Sequence, residues 1–401
     1  MNNINKCIEL GSQFHKFLRQ NLPHYIIPFT NSGFNFSFCN INNDEYICSI
    51  RYRTDIKVLF GKNIIPGDYK KGKNFVWGRW NDPRFIDATC IFVCEWINNK
   101  LIVKEDIKPT FIWSQPVCKP KRCMLTSTPL LSDFRLFKYE NRLFMIDGNV
   151  SIIREITIDR KSNKILINDG LYLNYICGDT TDYCYDKNWS YVNNTDENNF
   201  IFLNWIKDGY IIETKVINVN NCDTICETNK IIKLGGNHII DGLGDFKTPM
   251  FSFGSSCIKI NNNTYMGVGH AKILLTQEYD SDSKIYKFRK IIFDNFNNNP
   301  KYVQHNSYIY CMYFFKYIIN NNKKLYISDC YLPILSFTDY FFSIYFPMSI
   351  IKDRSNIVVT GGYGDYYSIA VTFKYKVVIK NTKHDVSNFN INEYNYNFIY
   401  C

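Results

Sequence analysis

The chain has 401 residues, a mass of 47.4 kDa and a formal charge of +10 from 47 basic and 37 acidic side chains. That length permits a large buried core and one to three domains. With 30 Tyr, 31 Phe, abundant Ile and frequent Asn-rich turns, the composition favours sheet over helix. The basic excess is scattered, apart from Lys70-Lys71-Gly72-Lys73 and Lys119-Pro120-Lys121-Arg122, and so argues against a dedicated nucleic-acid module.

Fifteen cysteines run from Cys7 to Cys401 without a dense pattern. The close pairs Cys118/Cys123 and Cys222/Cys226 have no second pair or His cluster at zinc-site spacing, so no metal is expected. The first 31 residues lack the apolar core of a signal peptide. The most apolar run, Tyr340 to Ile351, is too short and interrupted to span a bilayer. The expectation is a cytoplasmic chain with reduced thiols. The bias toward Asn, Ile, Lys and Tyr is that of an AT-rich coding genome, and a large DNA virus, with host cytoplasm or virion as the setting, is one source of such a chain.

In chain order, Ile4, Cys7, Ile8, Phe14, Phe17 and Leu18 recur at mostly helical spacing, which predicts an amphipathic helix ended before Pro23. Residues 1–30 are then a helical extension, and 31–401 a single β-domain. Five segments of the β-domain share one plan, an apolar hairpin with polar or Gly-rich ends. The first is Phe36 to Arg53. The second opens Asp133-Phe134-Arg135 and turns at Glu140-Asn141. The third starts at Asp186-Lys187-Asn188-Trp189 and returns over Phe200 to Trp205. The fourth is Gly254 to His270, turning at Asn261-Asn262-Asn263. The fifth is Phe346 to Asp365, turning at Asp353-Arg354-Ser355. Further strand-like runs lie between them, such as Ile212 to Val219 and Lys284 to Phe293.

One recurring hairpin plus outer strands is a propeller blade, so the predicted fold is an all-β, five-bladed β-propeller with a short N-terminal helix. A pair of two-sheet sandwiches is the competing arrangement. In a propeller the inner hairpin ends converge on the axis, which gives Arg51, Asp133, Lys187, His270 and Asp365 a reason to meet. Taken alone, each has a plainer reading. Asp133 and Arg135 share a face of an extended segment and could simply tie a strand end. Lys187 could be surface, His270 a structural histidine, and Trp189 core. Gly361-Gly362-Tyr363-Gly364-Asp365 lacks the order and following helix of a nucleotide-binding loop and reads as close strand packing.

The five segments resemble the inverting β-1,2-mannoside phosphorylases and their mannosyltransferase relatives. Asp133-Phe134-Arg135 looks like that family's Asp-Pro-Arg signature, and Asp186-Lys187-Asn188-Trp189 its Lys-bearing motif. Gly254 to His270 is similar to the fourth-blade pattern, and Pro347 to Asp365 to the last-blade pattern. Arg51 and Arg53 fall at the first-blade arginine. Phe134 replaces the signature Pro, Ser132 an acidic neighbour, and Tyr367 stands where the family Asp would be, one departure that bears on Asp365. An intact Asn81-Asp82-Pro83-Arg84 makes Asp82 a rival to Asp133, which is preferred because a blade-like hairpin follows it.

The resemblance implies an Asp general acid or base acting on a glycosidic bond with inversion, and a sugar phosphate or nucleotide sugar together with a glycan acceptor as partners. A phosphorylase needs one carboxylate, since phosphate is the nucleophile, and an anion pocket of Arg, Lys and His in place of the second. Arg51, Arg53, Arg135, Lys187, Asn188 and His270 suit that pocket, with Trp189 and Tyr363 as aromatic neighbours. No cofactor or metal enters this chemistry. A propeller of the same design that binds glycan or protein without turnover is the alternative.

Overall fold

The computed structural model describes residues 4–10, 17, 20–21, 34–42, 44–55, 85–113, 133–146, 152–168, 171–175, 188–192, 200–206, 209–217, 224–235, 239–241, 247–274, 279–297, 302–303, 308–336, 341–342, 344–364, 367–388 and 394–400. Strand dominates, and the large sheets form a propeller-like arrangement of four blades.

The first sheet carries Phe34–Asn42, Glu45–Asp55 and Phe85–Ile97 side by side, with Lys100–Val103 and Thr110–Trp113 both against Phe85–Ile97. A nine-stranded sheet follows. It falls into two antiparallel groups, one built on Arg135–Tyr139, Arg142–Ile146 and Ile152–Asp159, the other on Ser190–Val192, Phe200–Ile206, Tyr210–Ile217 and Thr224–Lys233. Among the described residues their backbones are paired through a short parallel ladder of Leu173, Asn174 and Tyr175 with Thr224, Ile225 and Cys226. A seven-stranded sheet is centred on Thr264–Leu274, Tyr308–Ile318 and Lys324–Ile334. The last sheet, Tyr345–Asp353, Asn356–Tyr363 and Tyr367–Lys374, takes its outer strand from the start of the chain: Ile4–Glu9 pairs antiparallel with Tyr367–Lys374.

The hairpins form where alternation and turn residues put them. Glu140, at φ 52°, turns the second segment before Asn141, and Arg354, at φ 53°, turns the fifth. Period-two alternation then gives each sheet two apolar faces. Phe200 and Phe202 face Phe137, Phe144 and Tyr191 in one cluster, whereas Ile201 and Leu203 join a second with Phe251, Phe253 and Val268. The Phe137, Phe144, Trp189 and Phe202 cluster therefore packs one half of the nine-stranded sheet against the other. Each such buried ring contributes about 1.5–3 kcal/mol.

Three expectations change here. Ile4–Glu9 is a strand, not the start of a helix; Phe17 and residues 20–21 are helical. The run Ile4 to Leu10 is compatible with both periods, and the unpaired edge of Tyr367–Lys374 selects the strand. Lys284–Ile292 is an α-helix rather than a strand. Ser283 caps it by accepting from the Tyr286 N–H, and Ile285, Phe288 and Ile292 are buried at helical spacing despite their β-favouring types. A further short helix, Tyr375–Asn381, lies where no helix signal was read.

Because Ile4–Glu9 completes the last sheet, removing residues 1–10 bares the Tyr367–Lys374 edge. The truncated protein is expected to melt at lower temperature and to associate. Thermal melts with size-exclusion chromatography check this.

Candidate functional site

The ends of the first four segments meet through polar contacts, and the fifth adds the Phe346 ring. Three of these ends share a backbone device: Asn35, Asp133 and Asn188 hold φ at 56°, 59° and 77°, the left-handed region that Asn and Asp tolerate better than other side chains. Asp133 and Asn188 each stand two residues before a strand, Arg135–Tyr139 and Ser190–Val192, and Asn35 lies at the irregular start of Phe34–Asn42.

Asp133 is held from two sides. Arg51 Nη1 donates to Oδ2 at 2.8 Å, and Asn35 Nδ2 donates to Oδ1 at 2.6 Å. Arg51 is sealed at 3% exposed, but the Asp133 side chain keeps 22% of its surface open, so its carboxylate can still be reached. Burial pushes that carboxyl up. Arg51, the Asn35 hydrogen bond and the Arg135 charge more than offset this and hold it below the usual carboxylate range. Asp133 is therefore an ionised carboxylate, a proton acceptor in its resting state.

Arg135 is the structural centre of the cluster. It is 1% exposed, and its guanidinium donates to the Asp133 carbonyl at 3.0 Å, to the Gly254 carbonyl at 2.7 Å and to Asn188 Oδ1. It thus joins the second, third and fourth segments. Its Cζ lies 5.6 Å from the centre of the Phe346 ring, from the fifth segment. Hydroxyls stitch the same strands together. Ser49 donates to the Phe134 carbonyl, Ser256 to the Leu136 carbonyl, Ser190 to the Ser255 carbonyl and Thr360 to the Phe36 carbonyl.

His270 lies behind Phe346, ring centres 4.6 Å apart, with Tyr310 at 5.5 Å. It is fully buried, and neither ring nitrogen has a hydrogen-bond partner. Burial, then the charges of Lys272 and Arg135, hold the ring well below the usual imidazole range, so it is neutral. This has a sign. The unfolded chain takes up a proton as pH falls through about 6.5 while the folded ring resists, so stability is full above that pH and declines below it. His270→Phe is expected to remove that dependence, read from urea unfolding at about pH 5 and about pH 8.

Against the sequence expectations, Asp133, Arg51, Arg135 and Asn188 come together directly, and His270 joins only through Phe346. Tyr363 is fully buried in the main core and Trp189, 4% exposed, packs 6.0 Å from Phe202, so neither ring is open to a ligand. Both side chains are apolar enough in body that the sheet interior takes them. Asp82, Lys187 and Asp365 lie outside the described residues, as does the side chain of Arg53. Sequence reasoning missed Asn35 and Phe346. Asn35 sits one residue before the first segment as read, and its local signal, an Asn able to take a left-handed backbone, is common in so Asn-rich a chain. Among the described residues no group of three or more His, Cys, Asp or Glu could hold a metal ion, and no helix is long and apolar enough to cross a membrane. Seven described cysteines are free thiols, whereas Cys7 is disulfide-bonded, a departure from the fully reduced expectation.

Fold and site together define a propeller-like β-protein with a charged cluster between its sheets, sealed at Arg51 and Arg135 and open at the Asp133 carboxylate. No family model matches the chain, and no curated protein matches its sequence. Solved structures similar to it include the β-1,2-mannobiose phosphorylase of Listeria innocua, at 10% identity over 90% of this chain and 94% of that one, with a TM-score of 0.49. A glycosyl hydrolase from Bacteroides ovatus matches at 10% identity over 96% and 95%, TM-score 0.43. A GDP-Man-dependent mannosyltransferase from Leishmania mexicana matches at 13% identity over 97% and 95%, TM-score 0.37. Likeness at this level assigns no activity to this chain.

Proposed function

We propose that this chain is a carbohydrate-active, five-bladed propeller that makes or phosphorolyses β-mannosidic bonds with inversion, using Asp133 as its base or acid. The five-blade count treats the two halves of the nine-stranded sheet as separate blades, a reading supported by the aromatic core packed between them. The observation that carries the function is Asp133 itself, an ionised carboxylate at the convergence of five segments that keeps an open face while the arginines around it are buried.

In the synthetic direction Asp133 accepts the proton of an acceptor hydroxyl as that oxygen attacks the anomeric carbon. The donor's phosphate or nucleotide leaves on the opposite face with the bonding pair. In reverse, protonated Asp133 returns the proton to the bridging oxygen while phosphate attacks. The carboxyl held below its usual range makes the base form the resting one. Arg53 and Lys187 are the cations proposed to meet the donor's phosphates, since Arg51 is buried against Asp133. Mannose as the sugar rests on the motif resemblance. Incubating the protein with mannose 1-phosphate or GDP-mannose and a mannose acceptor tests the reading; absence of product with both donors would overturn it.

A second reading, a propeller that binds glycan without turnover, is favoured by the two hydrogen bonds that already occupy Asp133 and by the sealed His270. It predicts glycan binding that survives Asp133→Asn and Lys187→Ala, with no product from either donor.

A further inference from the structure

We propose that Asn35 is the positioning residue of the site: from the first strand of the domain it fixes the orientation of the Asp133 carboxylate, and Gly362 in the last sheet provides the space it needs. This rests on the function proposed for Asp133, but its test does not.

Asn35 is placed at a loss to the fold in three respects. Its backbone is left-handed at φ 56°. Its amide oxygen is buried with no hydrogen-bond partner, although the residue is only 5% exposed. It also demands a glycine opposite, since a Cβ at Gly362 would collide with Asn35 Oδ1 and crowd its backbone nitrogen. A residue selected for stability alone would relieve at least one of these. What the arrangement gains is the 2.6 Å hydrogen bond from Nδ2 to Asp133 Oδ1. Arg51 fixes the other oxygen, so the carboxylate is clamped at both ends and cannot turn about its Cβ–Cγ bond. The charged groups acting on it are Arg51, from Glu45–Asp55 of the first sheet, and Arg135, two residues further along its own chain. Arg51 and Arg135 supply charge, and Asn35 supplies direction.

The geometry also ties the site to closure of the ring. Asn35 is near the start of the β-domain and Gly362 near its end, and their contact lies where the first and last sheets meet, beside the Thr360 hydroxyl bond to the Phe36 carbonyl. The partner that orients the carboxylate is therefore seated at the junction of the two ends of the domain.

The experiment is a carbon-13 titration of the Asp133 carboxyl by NMR in wild type, Asn35→Ala and Gly362→Ala, alongside steady-state kinetics with a mannosyl donor. Asn35→Ala removes a hydrogen bond to the charged form, so the Asp133 midpoint is expected to move up. Gly362→Ala keeps the amide but displaces it, and moves the midpoint the same way. Where turnover is measurable, kcat falls by up to about 10²-fold, the range for misplacing a reacting group, with KM little changed. Asn35→Asp, which replaces the donor by a second carboxylate, raises the midpoint most. An Asp133 titration in Asn35→Ala and Gly362→Ala that superimposes on wild type would overturn the proposal, even if the protein proved active. A shifted midpoint in a protein without turnover would uphold the contact and count against the enzymatic function instead.

Discussion

Asp133→Asn is expected to abolish glycosyl transfer while leaving the propeller folded. General acid–base catalysis contributes about 10²–10⁴-fold, and at least that loss is expected in kcat. The neutral amide cannot accept the acceptor's proton. It can still take the Arg51 hydrogen bond on its oxygen, and a turn of the Asn35 amide would present an acceptor to its new NH₂ group. The fold therefore has a route to satisfy the substitution, and loss of activity can be separated from unfolding by circular dichroism and thermal melting. The pH dependence of the wild type follows the same group. Its carboxyl lies below the usual range, so the base form persists into acid, and the acid limb of the rate profile falls below about pH 4. Asp133 also contributes stability that is present above the unfolded carboxyl's range and is lost as pH falls through its folded value. Asp133→Asn removes both effects together.

The largest effect on stability is expected from Arg135→Ala. Three acceptors from three segments, the Asp133 and Gly254 carbonyls and Asn188 Oδ1, lose their donor at once, and the Phe346 ring loses the cation beside it. Breaking a buried charged network of this kind costs about 3–5 kcal/mol, against a total of about 5–15 kcal/mol for a typical native protein. The variant should unfold at distinctly lower denaturant, measured as the midpoint in guanidinium chloride. Arg135→Lys keeps the charge but has no planar fork, so it can reach at most some of these acceptors and should fall between the two. A midpoint unchanged in Arg135→Ala would mean that the segments are held together by their apolar faces alone.

The hairpins were legible because their determinants are local. Glu140-Asn141 and Asp353-Arg354-Ser355 are turn chemistry read directly from residue type, and alternation on either side assigns the two faces. What escaped was settled at a distance or by spacing over composition. Ile4–Glu9 becomes a strand only because Tyr367–Lys374, more than three hundred residues later, offers an edge. Lys284–Ile292 is rich in Ile, Phe and Tyr, yet Ser283 and the burial of Ile285, Phe288 and Ile292 make it a helix. At the site, Asp133, Arg135 and Asn188 were visible as polar heads of strands. Asn35 was not, because its importance lies in a contact with Asp133 and a gap at Gly362 that no local pattern records. Tyr363 shows the opposite failure: an aromatic ring next to site residues in sequence, but turned into the sheet interior, whereas Trp189 is the core residue its plainer reading gave.

A crystal structure soaked with mannose and phosphate tests most directly whether the Asp133 carboxylate, 22% exposed, is the point where substrate binds. The prediction is a sugar hydroxyl within about 3 Å of the Asp133 carboxylate, at hydrogen-bond distance, with phosphate against the neighbouring cations. Sugar bound elsewhere on the propeller, with the Asp133 face empty and its bonds to Arg51 and Asn35 unchanged, would contradict it.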